Sequence, residues 1–401
     1  MNRTEILNEL ASIQALLVAL VENLDDASYR QQHHVDLSPI GWHLGHSVTI
    51  ERFWLENIML GKDTVDDDQQ YLYFPENMPK PERGGHLPPI KEHIEWARQQ
   101  QQKTMAFLSA PPQDYLQHKF ATDHYMEYFL LQHHCQHAET MHMVLTQRRF
   151  NQRNHYAPQN ELVSKEPQRN SVSLPAGDFT IGSDVSAIAY DNEVPPQRVQ
   201  LHAGAIAPTP VSNAEYLCFI QENGYKERSY WSDEGWAWRE ESGVSAPDSW
   251  QAHDGQWFIV EAQGCCDLPA NASVYGINHF EAEAFVNWLR ATRADDFADV
   301  RLPHEYEWEV AAQLNMLDDI GKVWEWCANT FHPYPDYRAF PYDRYSSTWF
   351  DGSHYSLRGA SRYTQAVIKR NSFRNFYEAD KRHIFAGLRL AYGEPSVQHA
   401  P

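Results

Sequence analysis

The sequence predicts an α+β protein of more than one domain: a four-helix bundle over residues 1–150, a linker over 151–171, and a loop-rich mixed α/β domain over 172–396. Three observations lead there. The chain has 401 residues, enough for two cores. Apolar residues at helical spacing fill the first 150 positions. From about residue 172 the pattern turns to short alternating segments separated by loops rich in Gly, Pro and Asn.

The elements follow in order. Residues 5–24 place Ile6, Leu10, Ile13, Leu17 and Leu20 on one helical face. Ser38-Pro39 reads as a helix start, with Ser as N-cap and Pro in the first turn. That helix is expected to run to about residue 60, with Gly61 closing it. Asp, Pro and Gly then mark a loop to about residue 88. A third helix is expected over 89–108, Pro111 and Pro112 interrupt the chain, and a fourth helix covers about 123–148. Four such helices make an antiparallel bundle, a natural host for a metal site built from facing helices. Asn151, Gln152, Asn154, Gln159, Asn160 and Pro167 mark the polar linker. Residues 172–174, 179–181 and 198–201 alternate as strands do. Asn278 with Glu281 forms a capping-box signal for a helix ending near Ala291, and Pro303 opens another that carries Trp308, Val310 and Ala311. The chain has no internal repeat and no low-complexity tract.

Composition excludes some functions. A net charge of -21 leaves no electrostatic footprint for nucleic acid. The most apolar early stretch, residues 10–24, is broken by Gln14 and Glu22 and is too short to span a membrane. Glu5 and Glu9 precede the apolar run, unlike a signal peptide. Cys135, Cys218, Cys265, Cys266 and Cys327 form no CxxC pair, which fits a reducing, cytoplasmic compartment. Aromatic residues make up 13% of the chain and concentrate after residue 220, suiting either a core of large rings or a ring-lined pocket.

The pattern richest in chemistry is His133 and His137 in Gln132-His133-His134-Cys135-Gln136-His137. Positions i and i+4 of a helix lie one turn apart on one face, so two imidazoles there can close on one metal ion. His46, in Trp42-His43-Leu44-Gly45-His46, is a third candidate. A histidine pair alone is more often surface or satisfied core than a metal site.

Further motifs give the chain a family likeness. They are Tyr190-Asp191-Asn192-Glu193, Pro210-Val211-Ser212-Asn213-Ala214-Glu215-Tyr216, Gly235-Trp236-Ala237-Trp238 and Arg301-Leu302-Pro303-His304-Glu305-Tyr306-Glu307-Trp308. Val323-Trp324-Glu325-Trp326, Leu357-Arg358-Gly359-Ala360-Ser361, Phe373-Arg374-Asn375-Phe376 and Phe385-Ala386-Gly387-Leu388-Arg389 follow. The first module resembles a DinB-like bundle. The second resembles the sulfatase-modifying, formylglycine-generating-enzyme fold, which is C-type-lectin-like. In this order the two look like the EgtB family of hercynine-modifying non-haem iron enzymes, over nearly the whole chain.

The resemblance implies an Fe(II) centre held by His46, His133 and His137, with His34, His43 and His134 as structural or supporting neighbours. Glu139 is the alternative ligand, in a two-His-one-carboxylate set. It implies a reaction of O2, hercynine and a thiol or selenosugar donor that forms a C–S or C–Se bond on the imidazole. Gln136 matches a glutamine on the substrate imidazole. Asn375 and Phe376 match an Asn-aromatic pair near the substrate's ammonium and carboxylate. Tyr342 and Tyr345 match a segment with an active-site tyrosine, Tyr342 being the expected proton donor. Lys80 and Arg83 match a basic pair for the donor's carboxylates.

Tyr377 and Lys381 stand where γ-glutamylcysteine users carry an acid and an arginine. The donor therefore stays open among cysteine, γ-glutamylcysteine and a selenosugar, the last as in the SenA type. Thr364 and Arg370 stand where formylglycine-generating enzymes carry cysteines, which speaks against that activity. A DinB-type metal-dependent thiol transferase and a non-catalytic binding module are the rival readings.

Overall fold

The computed structural model describes residues 1–152, 156–184 and 188–395. Asn154 of the expected linker and residue 396 lie outside the described residues. The first part is helical: α1 (Arg3–Ala19), α2 (Asp26–Arg30), α3 (Ile40–Arg52), α4 (Asp67–Tyr73), α5 (Lys80–His86), α6 (Ile90–Ser109), α7 (Gln113–Leu116) and α8 (Tyr125–Phe150). Helix α1 packs on α6 and α8, and α3 packs on the same two, giving a four-helix bundle. The α1 stripe Ile6, Leu10, Ile13 and Leu17 is buried. Its start is a capping box: Asn2 Oδ1 accepts from Glu5 N (3.0 Å) and Glu5 Oε2 from Asn2 N (2.8 Å). It ends at Ala19, short of residue 24.

Two expectations need correction here. Pro39, not Ser38, occupies the N-cap of α3, and no side chain caps it. Ser38 Oγ instead accepts from Arg83 Nη1 at 2.6 Å, so its oxygen is committed to a residue 45 positions away. The helix then continues as a π-helical segment, Phe53–Ile58, before Gly61 turns the chain at φ +64°. The expected loop to residue 88 holds α4 and α5. Asp66 caps α4 by accepting from Gln69 N at 2.8 Å, and Pro81 sits in the first turn of α5.

The second part comprises β1 (Val172–Leu174), β2 (Gly177–Ile181), β3 (Gln197–Leu201), β4 (Gly204–Ile206), α9 (Asn213–Gln221), α10 (Asp233–Ser242), β5 (Trp250–His253), β6 (Gln256–Glu261), β7 (Gly264–Asp267), α11 (His279–Thr292), α12 (Ala294–Phe297), β8 (Val300–Arg301), α13 (Glu305–Gln313), β9 (Trp324–Thr330), β10 (His354–Arg358), β11 (Asn375–Glu378), β12 (Ala386–Gly387) and β13 (Ala391–Tyr392). They form sheets ordered β1-β4-β13-β8, β11-β10-β9-β12, β2-β3 and β5-β6-β7. The capping box expected before α11 is present, with Glu281 N donating to Asn278 Oδ1 at 2.9 Å. Helix α13 starts two residues after Pro303, because His304 Nδ1 accepts from Tyr306 N and makes His304 the cap.

Buried ion pairs tie these small sheets together. Glu305 accepts from Arg374 Nε and Nη2, both at 2.8 Å, and all three partners Glu305, Arg358 and Arg374 are buried. Arg358 also pairs with Glu309. Glu325 accepts from Arg389 Nε (2.6 Å) and Nη2 (2.8 Å) and from Trp308 Nε1 (2.6 Å). The charged positions of the sequence motifs thus serve first as scaffold. Loop-rich backbone supplies few ladder bonds, and side-chain networks satisfy the remaining buried groups. Among the described residues, no helix is long and apolar enough to cross a membrane.

Candidate metal centre and adjoining cavity

Helices α3 and α8 face each other in the bundle and bring His46, His133 and His137 together. One ligand atom from each lies within 4.8 Å of the other two. His46 Nε2 stands 3.1 Å from His133 Nε2, and the ring centroids of the three lie 4.5–5.0 Å apart.

The far side of each ring is engaged. His46 Nδ1 donates to the Tyr73 carbonyl at 2.6 Å. His137 Nδ1 is 3.0 Å from His43 Nδ1, and His133 Nδ1 lies 3.5 Å from His134 Nδ1. The carbonyl partner fixes His46 as the Nδ1–H tautomer with Nε2 free, and the imidazole neighbours of His133 and His137 hold those rings through Nδ1, the arrangement by which histidine ligands are oriented. His46 is further held by stacking on Trp42, centroids 4.6 Å apart at 15°. Gly45 lets Tyr73, whose carbonyl holds His46, lie close against α3: a Cβ there would meet the Tyr73 ring at 2.2 Å.

Burial holds His46 at a pKa of about 4, and burial with neighbouring histidines holds His133 and His137 well below the ordinary value. All three are therefore neutral at pH 7, the state that binds a metal. The donor set fits a divalent transition metal such as iron.

The supporting histidines divide. His43 touches His137, and His134 Nε2 pairs with fully buried Glu51 at 2.9 Å, which also accepts from Gln14 at 2.6 Å. His34 is not beside the triad; its ring packs on His383, centroids 4.4 Å apart, at the seam between the modules. Glu139 is not available as a ligand either. Oε1 accepts from Trp324 Nε1 (2.8 Å) and Ser361 Oγ (2.6 Å), and Oε2 from Thr364 Oγ1 (2.6 Å). A carboxylate on α8 is thus latched by three donors of the second module. Burial pushes its acid up, and the three donors offset only part of that rise.

Glu139→Gln keeps an oxygen for Trp324 and Ser361 but sets an amide N–H against Thr364 Oγ1, which must give up its charge-assisted bond and turn to accept. It is expected to cost about 1–3 kcal/mol, read as a lower denaturant midpoint in a protein that still folds. An unchanged midpoint would mean that the latch contributes no stability.

On α8 the partly exposed positions 133, 136, 137 and 140 form one stripe, while the residues between them are mostly buried. This stripe continues into a cavity of about 240 Å³ between the modules. Gln136, Tyr345, Asn375, Phe376 and Tyr377 line it, five residues singled out from the sequence. The lining also includes Tyr190 and Asn192, which the sequence offered only as fold marks. Asn192 Oδ1 is buried with no hydrogen-bond partner and the buried Tyr190 hydroxyl interacts with Gln136, so polar atoms face the cavity there. Trp349, Phe373 and Trp324 add rings to the wall.

Other expected residues lie elsewhere. Tyr342 is about half exposed, set against Trp54 and Tyr345 (ring centroids 6.1 and 5.4 Å), and is not in the cavity lining. Burial raises its phenol to about 12, and raises that of Tyr345 further, so both stay protonated at neutral pH. Arg83 is buried and donates to the Met78 and Pro75 carbonyls and to Ser38, with its guanidinium 4.1 Å from the Trp42 ring centroid. Those bonds commit it to shaping the chain around α5. Lys80 donates to the Asp36 carbonyl at 2.9 Å, and Lys381 pairs with Asp36 and Asp380. Thr364 donates to Glu139 and Arg370 pairs with Glu193, so neither stands in for a thiolate.

Comparison with known proteins agrees with this architecture. A family described as "Sulfatase-modifying factor enzyme 1-like domain" matches residues 158–316 and 313–393, and the DinB superfamily matches residues 9–141. The hercynine oxygenase of Mycolicibacterium thermoresistibile is 29% identical over 98% of this chain and 95% of its own. That of Mycolicibacterium smegmatis is 28% identical over 97% and 99%. Ergothioneine biosynthesis protein 1 of Schizosaccharomyces pombe is 26% identical over 50% of this chain and 27% of its own. With both modules matched in this order, the chain belongs to the sulfatase-modifying factor enzyme 1-like family, in the EgtB-type branch that places a DinB-superfamily bundle in front.

Proposed function

We propose that this protein is an Fe(II)- and O2-dependent enzyme that forms a C–S or C–Se bond on the imidazole of hercynine. The observation that carries the reading is the convergence of three neutral imidazoles, each pinned through Nδ1, beside a ring-lined cavity. Relatives named hercynine oxygenase over the full length of the chain support it.

His46, His133 and His137 hold the metal, which supplies the redox chemistry that couples O2 to the new bond. The protein's residues do the rest. The rings of Phe376, Tyr377 and Trp349 receive the trimethylammonium group, which cannot donate an N–H hydrogen bond and is held by ring faces. Asn375 orients the carboxylate end, and the Gln136 amide orients the imidazole. The unpaired Asn192 Oδ1, and the Tyr190 hydroxyl beside Gln136, give the bound substrate further partners. Tyr345 takes the proton-donor role in preference to Tyr342, because it lines the cavity and Tyr342 does not.

Two measurements test this. Hercynine is expected to bind more tightly than histidine by about 2–30-fold, the value of a cation–π contact of about 0.5–2 kcal/mol; equal affinities would defeat the ring cage. Protein loaded anaerobically with Fe(II) is mixed with hercynine and cysteine, γ-glutamylcysteine or a selenosugar, exposed to air, and the products weighed. A mass gain on hercynine with O2 uptake is expected with one donor. A thiol adduct formed without O2 would instead mark a transferase.

A further inference from the structure

His34 and Asp36 lie on the segment after α2, and His383 lies on the second module just before β12. One ligand atom from each falls within 4.8 Å of the other two. Asp36 Oδ2 is 4.0 Å from His34 Nδ1 and 3.9 Å from His383 Nδ1. The His383 side chain is 3% exposed and its Nδ1 has no hydrogen-bond partner, although it points at a carboxylate. A buried ring nitrogen left unpaired at that spacing from a carboxylate and a second imidazole is an open coordination set.

We propose that His34, Asp36 and His383 form a second divalent-metal site, distinct from the triad, that bridges the two modules. Two imidazoles and one carboxylate select a borderline ion of the Zn(II) class over Ca(II) or Mg(II), which take oxygen ligands. Water completes the shell through the partly exposed His34 and Asp36. Loading draws the ligand atoms toward the roughly 3.4 Å edge of a tetrahedron with bonds of about 2.1 Å.

Neighbouring charges set the terms. Lys381 Nζ is 3.4 Å from Asp36 Oδ2 and 3.3 Å from Asp380, so Asp380 retains the ammonium when a metal takes Asp36. Lys80 is held by the Asp36 carbonyl rather than its carboxylate. The Asp36 amide donates to His34 Nδ1 at 3.1 Å, so His34 either gives up that bond or binds through Nε2. These lysines weaken the site relative to the triad, and the metal acts there as a staple across the seam. No triad residue takes part in this site, and its metal binding is independent of the proposed reaction.

Metal-free full-length protein is dialysed against Zn(II) and the bound metal counted. Wild type is expected to hold two equivalents, and His383→Gln and His34→Gln one each. His133→Ala, with the triad broken, is expected to keep a single site, and its melting temperature rises with Zn(II). One equivalent in wild type overturns the proposal, as do two in both His383→Gln and His34→Gln. His34 is partly exposed, so its variant decides the matter even if His383→Gln fails to fold.

Discussion

His133→Ala is expected to abolish iron retention at the triad, and with it turnover, while leaving a folded protein. Three imidazoles supply all the ligand atoms of the triad, and two cannot replace them. The loss should exceed the ~10–100-fold cost of removing an outer partner of a metal ligand. Stability should change little. His133 sits on the partly exposed stripe of α8, so its truncation opens an existing cleft rather than a sealed core. Iron content after desalting and a thermal melt separate the two effects. Full iron occupancy with a normal melt would remove His133 from the ligand set.

The second large effect concerns folding. Glu305→Ala leaves Arg374 and Arg358 buried without their shared carboxylate, together with Asn329 Nδ2 and Ser356 Oγ, each of which donates to it at 3.0 Å. Breaking such a buried pair costs about 3–5 kcal/mol, a large fraction of the ~5–15 kcal/mol by which domains are stable. A strongly lowered denaturant midpoint is expected.

The pH dependence supplies a second readout. Burial alone raises the Glu305 pKa, but Arg374 and Arg358 outweigh it and hold the carboxyl below its ordinary 4.5. A depressed folded pKa means that the unfolded state binds the proton more readily. The contribution is therefore complete above pH 4.5 and is lost as pH falls below it toward the folded value. Glu305→Ala should accordingly lose stability less steeply than wild type below pH 4.5. Parallel curves would show that the carboxylate is not the group being titrated.

Local signals in the sequence read well here. The i, i+4 spacing of His133 and His137 required only a helix, and α8 provides it over 26 residues. The alternation at 172–174 and the Asn278–Glu281 box likewise correspond to β1 and the start of α11. What the sequence hid depends on distant partners. Ser38 looks like a cap until Arg83 takes its oxygen. Glu139 looks like a ligand until Trp324, Ser361 and Thr364, about 185–225 positions away, close on it. Residues 62–88 lack a long apolar stripe, and α4 and α5 form there because Asp66 caps one and proline pre-sets the other. Tyr190 and Asn192 carry no local mark of a site. Only the juxtaposition of two modules, which sets both on the cavity wall, singles them out.

The Glu139 latch has one more consequence. It sits two residues beyond His137 on the same helix, so the bolt that fastens the halves and the hinge of the metal cage are one rigid rod. Grafting a different C-terminal partner onto this bundle would therefore disturb the imidazoles unless the graft brought its own indole and two hydroxyls to the same carboxylate. Evolution of new substrate walls on this frame is thereby channelled into residues that leave those three donors in place.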